Sequence, residues 1–266
     1  MTKGMTGCAA LADLGRSKTD PLKKRIQRGD VLVGGWLTVR STEIAEALAS
    51  TGVDWIAADF EHGTLDIGSA SEAFVAIERH GVCPIVRLTS MDADQACRAL
   101  DIGAQGLLVP VVEDPEEFAD FARQCLYSPR GTRGTALGRF NRWGEEFSDY
   151  HENFQPVLVP MIETRRGVEA AREIAALDCV DALFFGPYDL SADLGDPGNF
   201  ESDEFISART SILDAAEAAG KAAGGHQVAL EAGSVAKMIE EGFRFIAYGT
   251  DVVALRTSMA TFRDKS

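Results

Sequence analysis

The stretch Val157-Leu-Val-Pro-Met-Ile-Glu163-Thr164 is a short apolar run that ends in a carboxylate, and Ala182-Leu-Phe-Phe-Gly-Pro-Tyr-Asp189 follows the same design one structural unit later. A buried parallel strand that delivers one acidic side chain to the edge of a sheet has this pattern. The spacing of Glu163 and Asp189 accommodates one strand, one helix and two loops, which predicts that both emerge on the same face of a sheet or barrel. Two adjacent carboxylates are the usual protein share of a Mg²⁺ or Mn²⁺ site that leaves positions open for substrate.

Strand-helix units repeat along the whole chain. The first consists of the apolar run Val31–Leu37 and a helix that Ser41 or Thr42 can cap. Later strands are predicted to begin at Trp55, Pro84, Gly106, Val157, Ala182, Lys221 and Phe245, and a last helix to span Val252–Phe262. Eight such units favour an α/β protein built as one (β/α)₈ TIM barrel rather than an open doubly wound sheet. We therefore predict a loosely ordered extension over 1–22 and a single barrel domain over 23–266.

Enzymes with this architecture carry their active sites at the carboxyl ends of the strands, here called the C-terminal rim. Six ionisable residues fall on that rim by the count above: Asp59, Glu61, His62, Arg87, Glu163 and Asp189. Purely structural roles for some of these side chains also fit the sequence. A carboxylate after a strand is often only a helix cap or an ion-pair partner, which fits Glu163 before Thr164, and Arg87 fits a simple bridge to Asp59 or Glu61.

Charge and cysteine usage limit the classes of partner. The chain has 26 basic and 41 acidic residues and a net charge of −15, which argues against nucleic acid or an anionic membrane surface as a partner. The five cysteines are scattered without a CxxC pair, a pattern typical of free cytosolic thiols. The apolar cluster Cys8–Ala12 is too short for a signal peptide. We expect a cytoplasmic protein.

Four motifs carry a resemblance to a known family: Asp59-Phe-Glu-His-Gly63, Tyr127-Ser-Pro-Arg-Gly-Thr-Arg-Gly134, Met161-Ile-Glu-Thr164 and Gly186-Pro-Tyr-Asp-Leu-Ser-Ala-Asp-Leu-Gly195. In this order they resemble the HpcH/HpaI aldolase family, class II metal-dependent pyruvate aldolases that act on 4-hydroxy-2-oxo acids. The similarity runs from about Val31 to Arg256. It implies a modified TIM barrel that assembles as a homo-oligomer, a hexamer of paired subunits that exchange a C-terminal helix.

The resemblance also implies roles for single residues. Glu163 and Asp189 correspond to the ligands of a divalent metal ion, which is Mg²⁺, Mn²⁺ or Co²⁺. Arg87 corresponds to the residue near the pyruvyl oxygen, and His62 with Asp59 to an acid–base dyad in which Asp59 orients the imidazole. The implied substrate-binding residues are Arg87, Met161, Gly186, Pro187, Tyr188 and Asp189, with backbone N–H groups around the last two on the pyruvate carboxylate.

Two of these positions depart from the family pattern and leave the substrate open. Many members have Gln where this chain has Met161, and often Ala where it has Tyr188. The reaction implied is reversible, metal-dependent cleavage of a 4-hydroxy-2-oxo acid to pyruvate and an aldehyde. Two alternatives stay open: a CoA-ester lyase or citrate-forming enzyme on the same scaffold, and a non-catalytic oligomeric barrel.

Three remaining features receive weaker interpretations. Lys221 invites a Schiff-base mechanism, but it begins strand seven at the N-terminal end of the barrel, away from the C-terminal rim. The arginines of the long irregular segment Tyr127–Gly144 fit a solvated cluster, a phosphate site or a subunit contact, and we favour an interface and rim role. His226, at the exit of strand seven, lacks the acidic company that His62 has, and no role is assigned to it.

Overall fold

Eight parallel strands close into a barrel in the computed structural model, which describes residues 20–261. Each strand pairs with its neighbours in the chain, and β8 pairs with β1. The strands are β1 (Leu32–Leu37), β2 (Trp55–Asp59), β3 (Cys83–Arg87), β4 (Gly106–Val109), β5 (Val157–Ile162), β6 (Ala182–Phe185), β7 (Ala222–Gln227) and β8 (Phe243–Tyr248). The (β/α)₈ barrel predicted from the sequence is confirmed.

Helices alternate with these strands. They are α1 (Leu22–Gln27), α2 (Thr42–Ser50), α3 (Ile67–Arg79), α4 (Ala93–Asp101), α5 (Pro115–Cys125), α6 (Phe147–Asn153), α7 (Arg165–Ala175), α8 (Pro187–Asp193), α9 (Asp203–Ala218), α10 (Ser234–Glu240) and α11 (Asp251–Ala260), with a 3₁₀ segment at Arg139–Gly144. Residues 1–19 of the predicted extension and the predicted helix end at Phe262 lie outside the described residues. Within residues 20–261, no helix is long and apolar enough to cross a bilayer.

The barrel interior is filled by large aromatic side chains. Trp55 of β2 stacks on Phe245 of β8 with ring centroids 4.4 Å apart. Gly34, the first of two consecutive glycines in β1, makes room for this indole, since a Cβ on Gly34 would lie 2.1 Å from Trp55. The interior is therefore a packed core, and a ligand has access only at an end of the barrel.

The N-terminal end of the barrel is closed by helix α1. Leu22 and Ile26 of α1 are buried in the inner core. Lys23 pairs with Asp181 just before β6 at 2.8 Å. Lys221 lies at this same end, where its Nζ donates to the Val180 carbonyl at 2.6 Å. The predicted position of Lys221, at the N-terminal end and away from the C-terminal rim, is confirmed, which argues against a Schiff-base role.

The long arginine-rich segment also belongs to the N-terminal end. Together with α6, it forms the connection between the end of α5 and the start of β5. Arg133 pairs with Asp101 at the end of α4, at 2.7 Å, and Arg139 pairs with Glu78 near the end of α3. Both helices run toward the N-terminal end of the barrel at these residues. The prediction that these arginines build the rim is wrong, because an αβ connection lies on the opposite face.

Helix α11 turns its apolar residues outward. Val252, Leu255 and Met259 are 44%, 61% and 65% exposed. Asp251 at the start of the helix is buried, and its carboxylate accepts hydrogen bonds from the backbone N–H groups of Thr38 and Val39 at 2.8 and 2.9 Å. The first turn of α11 is thus fixed to the C-terminal rim, while the rest of the helix leaves an apolar surface uncovered.

Candidate active site

Glu163 is a buried carboxylate at the C-terminal rim. It directly follows β5 and is 3% exposed. Its Oε2 accepts a hydrogen bond from the Val111 N–H at 2.9 Å. Burial, followed by the negative charges of Asp189 and Glu61, raises the pKa of Glu163 to about 7, although the Val111 N–H acts in the opposite direction. A cation placed here would relieve both the burial and the repulsion.

Val111 delivers this hydrogen bond from a rare backbone conformation. Its φ is +51°, in the left-handed region, and its side chain is 51% exposed. A β-branched residue in this region is an outlier that costs about 1–3 kcal/mol and persists only where the surroundings impose it. The next residue, Val112, donates to the Met161 carbonyl at 3.1 Å. Valine itself gives no sequence signal for such a turn, so this site residue was missed.

Gly186 follows β6 and packs directly against Glu163. A Cβ at Gly186 would lie 2.5 Å from Glu163 Oε1, so the site admits only glycine without movement of the carboxylate. Pro187 then begins helix α8, and Asp189 lies in its first turn rather than on a strand end. The N–H groups of Tyr188 and Asp189 have no partner within the helix, as at any helix N-terminus.

Glu163 and Asp189 fit a divalent ion of the magnesium type. Among residues 20–261, no three His, Cys, Asp or Glu side chains gather into a complete metal cage. Mg²⁺ is commonly bound by one or two carboxylates, with water and substrate oxygens in the remaining positions. Asp189 is exposed, whereas Glu163 is buried against Gly186. The pair suits an ion that a substrate must complete.

Asp59 and Arg87 form a second charged group on the rim. Arg87 donates from Nε to Asp59 Oδ1 at 2.9 Å and from Nη2 to Oδ2 at 2.6 Å. Oδ2 also accepts from the Trp36 indole at 3.2 Å. Burial alone would raise the pKa of Asp59, but the hydrogen bonds and charge of Arg87 hold it below the usual value. The Asp59 carboxylate is therefore charged and fully engaged.

His62 does not form the predicted dyad with Asp59. Asp59 Oδ1 accepts from the backbone N–H of His62 at 3.2 Å, and the imidazole stands away from it. The ring, 67% exposed, pairs instead with Glu61, whose Oε2 lies 3.8 Å from Nε2. Glu61 also pairs with Arg87 Nη1 at 3.0 Å, and burial raises its pKa. The prediction failed because Arg87, distant in sequence, occupies Asp59.

His226 and Trp36 are further residues of this site that sequence reasoning missed. The two rings stack with centroids 4.7 Å apart and planes 18° from parallel. Trp36 in turn touches both Asp59, through its indole N–H, and Arg87, whose Cζ lies 5.0 Å from the ring centroid. The stack joins β1 to β7. No local sequence pattern predicts a contact between residues so far apart in the chain.

A comparison with protein families shows which family the chain matches. The model of the HpcH/HpaI aldolase/citrate lyase family matches residues 32–258. The chain belongs to this family. The predicted resemblance is thereby confirmed, and the protein is a carbon–carbon lyase of the aldolase type.

Several relatives of this HpcH/HpaI family lyase match over almost the whole chain. A hydroxypyruvate/pyruvate aldolase of Roseovarius nubinhibens is 35% identical over 253 residues, 92% of this chain and 97% of the relative. A 4-hydroxy-2-oxovalerate aldolase of Rhodococcus jostii is 35% identical over 93% of this chain and 97% of its own length. A solved HpcH/HpaI aldolase/citrate lyase family protein of Burkholderia cenocepacia is 33% identical with a TM-score of 0.85, covering 92% of this chain and 99% of that one.

The site of this family member therefore has two parts. The carboxylates of Glu163 and Asp189 form an edge that attracts a cation, and Arg87 supplies a permanent positive charge held by Asp59. Glu61 interacts electrostatically with both parts: the charge of Arg87 lowers its pKa, and the charge of Asp189 raises it. A cation and an arginine near one substrate oxygen are suited to stabilising negative charge that develops during a reaction.

Proposed function

We propose that this lyase cleaves a 4-hydroxy-2-oxo acid reversibly to pyruvate and an aldehyde, with a divalent metal ion held by Glu163 and Asp189. The observation that carries the proposal is the buried Glu163, whose pKa is raised to about 7 beside Asp189 and Glu61. A cation bound beside this carboxylate would favour its charged form. The names of the relatives, which are pyruvate and 4-hydroxy-2-oxo acid aldolases, support the choice of substrate.

Substrate positioning falls to the residues around α8. A bound Mg²⁺, Mn²⁺ or Co²⁺ supplies Lewis-acid polarisation of a chelated keto group. The free N–H groups of Tyr188 and Asp189, which follow Gly186 and Pro187, orient the pyruvate carboxylate. Met161 is buried in the barrel interior two residues before Glu163, where it limits the volume beneath the substrate.

Charge stabilisation and proton transfer fall to the other part of the site. Arg87, with its fork fixed by Asp59, stabilises the oxyanion of the pyruvate enolate. His62 takes the proton of the 4-hydroxyl group during cleavage and returns it during condensation, since an imidazole can both accept and donate a proton. Glu61, the carboxylate paired with His62, stabilises the imidazolium that forms.

A pyruvate-release screen tests the proposed function. Purified protein is given a panel of 4-hydroxy-2-oxo acids with Mg²⁺, Mn²⁺ or Co²⁺, or with EDTA, and pyruvate is measured with lactate dehydrogenase. We expect turnover only with metal, and its loss in Glu163→Gln and Asp189→Asn. Glu173→Gln, an exposed carboxylate on α7, is the matched control and should leave turnover unchanged. Full activity in EDTA would refute the metal site.

We also propose that the protein is a cytoplasmic homo-oligomer, a hexamer in which α11 is exchanged between subunits. The four cysteines within residues 20–261 are free thiols, which suits the cytoplasm. The uncovered apolar residues of α11 suit packing on another subunit. Light scattering should find a smaller species after Leu255→Asp or deletion beyond Thr250. Ile206→Asp, 45% exposed on α9, is the control, and an unchanged mass for Leu255→Asp would contradict the exchange.

A further inference from the structure

We infer that His226 is a positioning residue for this reaction: it holds the Trp36 indole against Asp59 and Arg87 and thereby fixes the guanidinium that faces the substrate. The inference rests on the proposed aldolase function for its catalytic consequence. The arrangement of the four side chains is independent of that function.

The geometry links four strands in one continuous set of contacts. His226 of β7 is held at one edge by Nε2, which lies 3.1 Å from the Gly249 carbonyl. Its ring stacks on Trp36 of β1 at 4.7 Å. The Trp36 indole N–H donates to Asp59 Oδ2 of β2 at 3.2 Å, and the same carboxylate accepts hydrogen bonds from Arg87 of β3. A displacement of the imidazole is therefore transmitted to the guanidinium through one ring.

The other aromatic neighbours of Trp36 cannot replace this contact. Trp55 meets Trp36 edge to face at 6.4 Å, and Phe184 meets it at a tilt of 41° and 5.9 Å. Both rings meet the indole at an angle, so neither lies flat against its plane. The near-parallel imidazole is the contact that sets the plane of the indole, and hence the direction of its N–H toward Asp59.

The charge state of His226 suits this role. Burial lowers its pKa to about 4, so the imidazole is neutral at pH 7. A neutral ring packs against Trp36 without adding positive charge near Arg87. A protonated ring would repel the guanidinium, which lies 5.0 Å from the centroid of the same indole. The packing can therefore hold Arg87 without weakening its contact with Asp59.

Three substitutions at His226 separate the ring stack from the hydrogen bond to Gly249. His226→Phe keeps the stack and loses the donor, His226→Gln keeps a donor of similar reach and loses the ring, and His226→Ala loses both. We expect kcat for cleavage to fall about tenfold in the Ala and Gln variants and to stay within about twofold in the Phe variant, with KM little changed. Rescue by Gln and not by Phe would overturn the inference, because the histidine would then act only by anchoring the loop at Gly249.

A double-mutant cycle tests whether His226 acts through Trp36. Trp36→Phe keeps a ring but removes the N–H that reaches Asp59. If the effect passes through that N–H, His226→Ala costs less than about twofold in the Trp36→Phe background, instead of about tenfold. Independent, multiplicative effects would contradict the inference.

A measurement that needs no turnover keeps this test separate from the proposed function. Hydrogen exchange of the Trp36 indole N–H, followed by NMR of ¹⁵N-tryptophan protein, should accelerate at least about tenfold in His226→Ala and not in His226→Phe. Trp55 serves as the internal control. Wild-type protein without aldolase activity would refute the proposed function alone, whereas unchanged Trp36 exchange in His226→Ala would refute the positioning role alone.

Discussion

Arg87 and Asp59 face each other as a two-bond pair, Nε to Oδ1 at 2.9 Å and Nη2 to Oδ2 at 2.6 Å. The third nitrogen, Nη1, lies 3.0 Å from Glu61. A guanidinium held this way cannot rotate without breaking two charge-assisted hydrogen bonds. The pair therefore sets the direction of the Arg87 positive charge. It also explains why Asp59, three residues before His62, does not pair with the imidazole.

Replacing Arg87 by lysine should separate its shape from its charge. Lysine keeps the charge but lacks the planar pair of N–H donors that binds the Asp59 carboxylate. We therefore expect kcat for cleavage to fall about 10²-fold. Solvent deuterium exchange into the pyruvate methyl group should fall in parallel, because both reactions pass through the enolate. Coupled pyruvate assays and proton NMR measure the two rates.

The control for this variant is Arg40→Lys, an exposed arginine that pairs with Asp66 at 3.6 Å. It should leave both rates unchanged. If Arg87→Lys folds normally and retains full cleavage and exchange, Arg87 has only the structural role of bridging Asp59 and Glu61.

Glu163 should make the stability of the metal-free protein depend on pH. Its pKa is about 7 in the folded protein, above the ordinary glutamate value, so the group stabilises the fold when protonated. That contribution is complete below the unfolded pKa and is lost as pH rises through 7. We expect the free energy of unfolding in EDTA to fall by about 3 kcal/mol from this group between pH 4.5 and 8.

Urea unfolding of Glu163→Gln provides the comparison, because glutamine has no proton to lose. The variant should show a flatter pH profile in EDTA than the parent protein. Saturating Mg²⁺ or Mn²⁺ should remove the loss in the parent, since the ion binds the ionised carboxylate. Identical profiles for the two proteins in EDTA would show that Glu163 titrates normally.

Gly186→Ala should damage the metal site while leaving the barrel folded. The added Cβ would stand 2.5 Å from Glu163 Oε1 and would force the carboxylate aside. We expect the affinity for Mn²⁺, measured by calorimetry, to fall at least about tenfold. Gly134→Ala is the matched control, since a Cβ there meets nothing within 4 Å. Unchanged affinity in Gly186→Ala would mean that Glu163 does not bind the ion.

The barrel was predictable because its signals are local. Runs such as Val157–Ile162 and Ala182–Phe185 are apolar along their whole length, as strands covered on both faces must be. Caps such as Asp114 before Pro115 mark helix starts with equal clarity. Asp189 shows the limit: the sequence placed it on the correct rim, but β6 ends at Phe185 and Pro187 begins a helix, so Asp189 lies in a helical turn and not at a strand end.

The partners within the site were not predictable, because they are set by contacts between distant strands. Asp59 is three residues from His62, yet its oxygens bind Arg87 of β3 and Trp36 of β1. Val111 adopts a conformation that its side chain disfavours, so its residue type argues against its role. His226 lacks an acidic neighbour in sequence and acquires its place only when β7 closes against β1 through β8.

Two variants should separate proton transfer at His62 from its assistance by Glu61. If His62 accepts the 4-hydroxyl proton, His62→Ala should slow cleavage by about 10² to 10⁴-fold while pyruvate still binds and exchanges its methyl hydrogens. Glu61→Gln, which keeps the shape but loses the charge beside His62, should slow cleavage less, by about tenfold. Coupled pyruvate assays measure both rates. His80→Ala, a helix-end histidine paired with Glu46, is the control. Wild-type cleavage by His62→Ala, with a large loss in Glu61→Gln, would move the base to Glu61.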